Sequence, residues 1–161
     1  MSSPIRDAQE SELDALASVW YDAWQDGHAA VVPAELAQRR TWGRFRERLQ
    51  NALEEVRVAG PVGAPVGFSM LKDGELYQLF VASSTRGSGV AAALIADAEA
   101  RLSARGFETA FLTVAIGNDR AARFYEKCGW HRTGTVIEEL DTPEGRIRLE
   151  VWRYEKRLVE N

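Results

Sequence analysis

Between Glu75 and Ala92 the chain reads Glu-Leu-Tyr-Gln-Leu-Phe-Val, then Ala-Ser-Ser-Thr, then Arg-Gly-Ser-Gly-Val-Ala-Ala. No other stretch constrains the fold as tightly. A β-branched and aromatic run gives way to small polar residues and two glycines, after which Val90, Ala91, Leu94, Ile95, Ala98 and Leu102 recur at helical spacing. Strand, glycine turn and helix are expected in that order. Gly87 and Gly89 remove the Cβ atoms that would hold a ligand off the backbone. The first turn of the following helix leaves unpaired N–H groups at the positive end of its dipole. Such a turn is a phosphate cradle, and an anion is its expected guest.

Spacing separates the families that write this kind of turn. A Walker A loop needs Lys and then Ser or Thr after its last glycine, whereas Gly89 is followed by Val90 and Ala91. The dinucleotide fingerprint G-x-G-x-x-A does fit Gly87 to Ala92, but it wants an acid at the end of the next strand. That strand, Phe111 to Val114, runs into Ala115, Ile116 and Gly117. A glycine turn that binds nothing stays open at this point.

With 161 residues, 45% of them hydrophobic, the chain is long enough for one core, and a single domain over residues 1–161 is expected. A net charge of −4 provides no global field for nucleic acid or for an anionic membrane. Phosphates would have to be met locally, by Arg86, Arg120, Arg123 or Lys127. Cys128 is the only cysteine, so neither an intrachain disulfide nor a cysteine-rich metal site is expected, and a reducing cytoplasm fits. His28 and His131 lie about a hundred residues apart without metal-ligand spacing, so no metal is expected. No G-x-S-x-G elbow is present for a serine hydrolase.

Along the chain, Ile5 and Arg6 begin a short strand. Ser11 is placed to cap a helix whose stripe is Leu13, Leu16, Ala17, Trp20, Ala23 and Trp24, ending near Gly27. A second helix is expected from Glu35 to about Glu55, carrying Leu36, Trp42, Phe45, Leu49 and Leu53, with its arginines and glutamates on a solvated outer face. Strands at 56–59 and 66–71 lead through the tight turn at Asp73-Gly74 to the Glu75 strand, giving an antiparallel meander. Strict alternation would put Glu75, Tyr77 and Leu79 on one face and Leu76, Gln78 and Phe80 on the other. The helix after Gly89 stops near Gly106. Thr109 to Val114 then returns parallel to the Glu75 strand. A short helix through Ala121, Phe124, Tyr125 and Cys128 ends at Gly129. Two last strands flank the turn from Asp141 to Gly145, the second alternating through Ile147, Leu149 and Val151.

Two motifs now stand in order. The first is Arg86-Gly-Ser-Gly89-Val-Ala91, after a strand and before a helix. The second is Gly117-Asn118-Asp-Arg-Ala121-Ala-Arg-Phe124-Tyr125-Glu-Lys-Cys-Gly129-Trp130. Together they resemble motifs A and B of the GNAT N-acetyltransferase superfamily, with good coverage from about residue 56 to 154. The resemblance implies an α/β fold with a mixed, mostly antiparallel central sheet flanked by helices. It also implies acetyl-CoA as co-substrate in a cleft where two central strands splay apart. Leu79, Phe80 and Val81 would offer backbone groups to the pantetheine arm, and Arg86, Gly87, Ser88, Gly89, Val90 and Ala91 would hold the pyrophosphate. Asn118 would contact the cofactor, Ala121 and Phe124 would pack beside it, and Tyr125 would sit by its sulfur. Homodimers are common in that family.

Acyl transfer to an amine needs a neutral nitrogen, a stabilised oxyanion and a proton for the leaving thiolate. Tyr125 is the expected proton donor. Glu75 is the expected general base, because some members of the resembled family carry a catalytic glutamate there and burial near Tyr77 or Phe80 would raise its pKa. Trp20, Trp24, His28, Glu35 and Trp42 are candidates for the acceptor wall, and the acidic balance favours a cationic amine. The alternatives are a non-catalytic acyl-CoA sensor, which would keep the cradle without needing Tyr125 or a base, and a nicotinamide enzyme, which lacks its acid.

Overall fold

The computed structural model describes residues 5–28, 30–142 and 144–158. Its elements are β1 (Ile5–Asp7), α1 (Leu13–Gly27), α2 (Ala34–Arg39), α3 (Trp42–Asn51), β2 (Val56–Ala59), β3 (Gly67–Lys72) and β4 (Glu75–Val81). They continue with α4 (Val90–Ala104), β5 (Thr109–Ala115), α5 (Asp119–Lys127), β6 (His131–Thr142) and β7 (Gly145–Arg157). All seven strands join one sheet in the order β1-β2-β3-β4-β5-β7-β6. Every neighbouring pair is antiparallel except β4 and β5. The fold class and the meander therefore stand as expected, as does the parallel return after α4. Pro143, within the expected last turn, lies outside the described residues.

Helices cover both faces, and each face has its own core. On one side α1 and α3 press Leu16, Trp20, Phe45 and Leu49 against Val56, Val58, Phe68 and Met70. Trp20 stacks on Phe45 with ring centres 4.6 Å apart, a pairing that adds to the simple burial of both rings. On the other side Leu94, Ile95, Ala98 and Leu102 are the buried stripe of α4. Three of them join Ala110, Leu112 and Val114 of β5, Tyr125 of α5 and Trp130 in a second cluster.

Three local expectations change. The second helix is two: α2 ends at Arg40, whose ψ of 75° is not helical, and the Thr41 hydroxyl caps α3 by accepting from the Arg44 amide at 3.3 Å. Ser11 is not a cap. It lies inside a 3₁₀ turn from Glu10 to Glu12, and the Glu12 carboxylate accepts from the Gln9 amide at 3.0 Å. In the middle of the sheet, the β3–β4 register passes from Met70 opposite Gln78 to Leu71 opposite Leu76, which leaves Tyr77 as an extra residue. This bulge resets the alternation. Leu76 and Leu79 pack with the α4 and α5 core, whereas Tyr77 and Phe80 pack with the α1 and α3 core.

Candidate active site

The cleft begins with a missing strand pair. β4 and β5 are matched only at Glu75 opposite Phe111, after which they diverge. β3 continues to pair the outer edge of β4 as far as Val81, and β7 pairs the far edge of β5 along its whole length. The inner edge of β4 from Leu76 to Val81 is thus left facing a cleft of about 490 Å³, whose walls include Leu79, Phe80, Val81, Arg86, Ala121 and Tyr125. Backbone groups on a free strand edge are available to an extended ligand.

At one end of that edge lies the glycine turn. Gly87 (φ 80°) and Gly89 (φ 90°) are both left-handed, and a Cβ on either would project into open space. The first intrahelical bond of α4 runs from the Ala93 amide to the Gly89 carbonyl at 3.0 Å. The amides of Val90, Ala91 and Ala92 therefore have no intrahelical acceptor, and Gly87, Gly89, Ala91 and Ala92 line the cleft. Ser88 and Val90 do not line it. The Ser88 hydroxyl and amide both bond back to the Thr85 carbonyl. Arg86 and Arg120 line the cleft, and both lie on the Asp26 carboxylate, Arg120 at 3.5 Å. Arg86 and, to a lesser extent, Arg120 hold that carboxyl below its ordinary range. Arg123 and Lys127 are not part of the lining.

Residues of α5 and its cap form a further wall of the cleft. Asn118 caps the helix, its side-chain oxygen accepting from the Ala121 amide at 3.4 Å, and it also lines the cleft, as do Ala121 and Phe124. Tyr125 is buried among Phe124 and Trp130, with ring centres 5.4 and 6.4 Å away. It forms part of the cleft wall, and its hydroxyl has no hydrogen-bond partner among the described residues. Burial, with a smaller contribution from Cys128, pushes this phenol above its ordinary value. It stays protonated throughout the physiological range.

Glu75 lies at the closed end of the splay and outside the cleft lining. Burial first, then the nearby Glu138 carboxylate, raise its pKa to about 7. Behind the gap between β4 and β5 is a second chamber of about 100 Å³. His28, Tyr77, Gln78, Phe80 and Thr113 line both spaces, so the two meet there. Trp20, Trp24 and His28 line this chamber. Trp24 stacks on His28 with centres 5.7 Å apart and planes 6° from parallel. Burial, aided by Arg40 and Arg120, lowers the His28 pKa to about 4, so the ring is neutral, and its Nδ1 is buried without a partner among the described residues. Glu35 and Trp42 lie elsewhere: Glu35 pairs with Arg39 at 2.7 Å, and the Trp42 indole donates to Ser18 at 3.0 Å.

Sequence reasoning missed Asp26, Arg40, Arg48, Thr113 and Glu138. Arg48 offered a signal, since it falls between the core residues Phe45 and Leu49. Glu138 and Thr113 offered none, because the bond between them, 2.8 Å, spans two strands that are not neighbours in the sheet. Among the described residues no group of three or more His, Cys, Asp or Glu is placed to hold a metal ion.

Comparison with known proteins meets this geometry. The model of the Acetyltransferase (GNAT) family matches residues 11–130, and the chain belongs to that family. An uncharacterized N-acetyltransferase of Mycobacterium tuberculosis is 34% identical over 112 residues, which are 66% of this chain and 69% of the relative. A GCN5-related N-acetyltransferase from Rhodopseudomonas palustris has the same fold, with a TM-score of 0.75 at 21% identity over 98% of this chain and 96% of that one. The PaiA N-acetyltransferase of Thermoplasma acidophilum, solved in complex with coenzyme A, aligns with a TM-score of 0.66 at 20% identity over 98% and 99%.

Proposed function

We propose that this chain is a cytoplasmic N-acetyltransferase that moves an acetyl group from acetyl-CoA to a primary amine by direct attack within a ternary complex. The observation that carries the reading is the free edge of β4 beyond Glu75, which faces one cleft whose lining also holds the glycine turn and Tyr125. Pyrophosphate would take the amides of α4 together with Arg86, and the pantetheine arm would pair with Leu79 to Val81. A thioester at the end of that arm would then meet Tyr125, which lines the same cleft. PaiA in complex with coenzyme A supports the choice of cofactor.

The step balances within these groups. The amine nitrogen forms a bond to the thioester carbonyl carbon, the C–S bond breaks, the amine loses a proton, and the sulfur gains one. Glu75, with a pKa of about 7, takes the amine proton through water, since it does not border the cleft. Tyr125 donates to the sulfur. A phenol near 10, raised further by burial, is a weaker acid than a thiol near 8.5, so its hydrogen bond helps the thiolate leave more than a full proton transfer would. The products are the N-acetylated amine and the CoA thiol.

Calorimetric titration with acetyl-CoA, followed by thiol release across a panel of amines, tests this reading. Binding with turnover is expected. Tyr125→Phe should lower kcat about tenfold or more and leave the acetyl-CoA Kd unchanged. Binding without turnover of any amine would support the acyl-CoA sensor instead, and no binding by folded protein would overturn the cradle.

A further inference from the structure

The chamber behind the β4–β5 gap carries charge that the transfer chemistry does not use. Trp20, Trp24, Leu36, Leu140 and Val151 contribute to its walls, but the surface it exposes is mostly polar, and Arg40 and Arg48 both line it. Arg40, in the break between α2 and α3, has no side-chain hydrogen bond or ion pair among the described residues. Burial, with the neighbouring Arg48, lowers its pKa to about 10, so it remains cationic at neutral pH. Arg48 lies with its guanidinium 4.5 Å from the centre of the Trp20 ring and donates to the Tyr77 hydroxyl at 3.1 Å. The acid in this lining is Glu138. It accepts from Thr113 at 2.8 Å, at the junction with the cofactor cleft, and is not ion-paired with either arginine. Arg40 is half-buried, with Glu138 acting on it only at a distance, and Arg48 is also half-buried. The chamber thus holds two guanidinia with no carboxylate hydrogen-bonded to either among the described residues, an arrangement that a bound anion would complete.

We propose that the acceptor is a small aminocarboxylate, its carboxylate held by Arg40 and Arg48 and its amine turned past Glu138 and Thr113 toward the thioester. The inference rests on the transferase reading above and names the substrate class of that site. The planar fork of a guanidinium matches a carboxylate with paired hydrogen bonds. Glu138 attracts the ammonium form before it loses its proton. The chamber, about 100 Å³, is small beside the cleft of about 490 Å³ that it opens into, which suits the head group of a small acceptor. The chain as a whole is acidic, at −4, and would draw in a cation, whereas the chamber itself favours an anion. A zwitterion satisfies both.

The test compares matched acceptors that differ only in that charge: glycine with glycinamide, alanine with alaninamide, and aminomethylphosphonate as a tetrahedral anion. Thiol release at saturating acetyl-CoA is read as kcat/KM per neutral amine. The anionic members should exceed the amides by at least about tenfold, and Arg40→Gln should remove that preference mainly through KM, with Arg40→Lys restoring part of it. Amides that react as well as acids, or a preference that survives Arg40→Gln, would overturn the proposal. A second arm needs no turnover. The CoA-bound protein is titrated with N-acetylglycine and with N-acetylglycinamide, and only the former should bind. If the two bind equally, or neither binds, the proposal fails even where Arg40→Gln does not fold. Failure of acetyl-CoA itself to bind would instead overturn the transferase reading, and turnover of purely cationic amines alone would sink only this inference.

Discussion

Asp26 occupies the approach to the cradle, tied to Arg86 and Arg120. A pyrophosphate must displace it from those guanidinia and then tolerate its negative charge. Removing that charge should help: Asp26→Asn is expected to tighten acetyl-CoA binding about two- to fivefold at low salt, the scale of an exposed ion pair. Unchanged or weaker affinity by calorimetry would show that the pair holds Arg86 in its useful position. Glu75 makes a prediction of a different kind. Its folded pKa of about 7 means that the base form appears as pH rises through 7, so kcat/KM should climb there and Glu75→Gln should flatten the climb. If the limb persists in the variant, another group takes the proton. The same shift has a stability consequence of fixed sign: the folded protein holds this proton more tightly, so stability falls as pH rises from the ordinary value of 4.5 to about 7.

At the scale of elements, the N-terminal strand depends on a buried carboxylate. Glu12 is fully buried and accepts from Arg6 at 2.7 and 2.8 Å, from the Gln9 amide at 3.0 Å and from the Gly63 amide at 3.1 Å. It thereby ties β1 and the 3₁₀ turn to the loop between β2 and β3. The Arg6 hydrogen bond is the largest influence that lowers its pKa to about 2. A depressed carboxylate pKa stabilises the fold above the unfolded value near 4.5, and that contribution is lost as pH falls from there to about 2. Glu12→Gln should cost about 2 kcal/mol in urea denaturation at neutral pH, and the difference from the parent should shrink on acidification across that window. A difference that is flat with pH would mean that shape, and not charge, makes the tie. The same scale explains where reading by pattern stopped. The α4 and α5 stripes were legible because one helix face meets one core. The β4 bulge was not, because Tyr77 carries no glycine or other local mark, and the slip exists only in the pairing with β3.

For the whole molecule, ligand and fold should be linked. A cofactor that binds only the folded state, present at about a hundredfold excess over its Kd, stabilises by about 2.7 kcal/mol, which for a chain of this size raises Tm by about 5–10 °C. Acetyl-CoA should produce such a shift and NAD should not, as read by calorimetric melting at matched concentrations. An equal rise with NAD would reopen the dinucleotide reading of Gly87 to Ala92.

Short-range chemistry determined much of this protein from its residues alone. Gly87 and Gly89 require a turn that only a residue without a Cβ adopts easily. The apolar spacing after Gly89 requires a helix, and their junction requires unpaired amides, whatever the rest of the chain does. Arg86, Asn118, Phe124 and Tyr125 became candidates through their resemblance to two family motifs, and all four line the cleft. The second chamber was decided by tertiary structure. Arg40 and Arg48 look like members of a solvated helix face until the break at Thr41 and the packing of α3 on α1 turn them inward. Glu138 looks like an ordinary strand carboxylate until the sheet order places β6 beyond β7 and brings it to Thr113. Burial and charge pairing between segments a hundred residues apart depend on where the chain returns in space, and no local pattern carries that information.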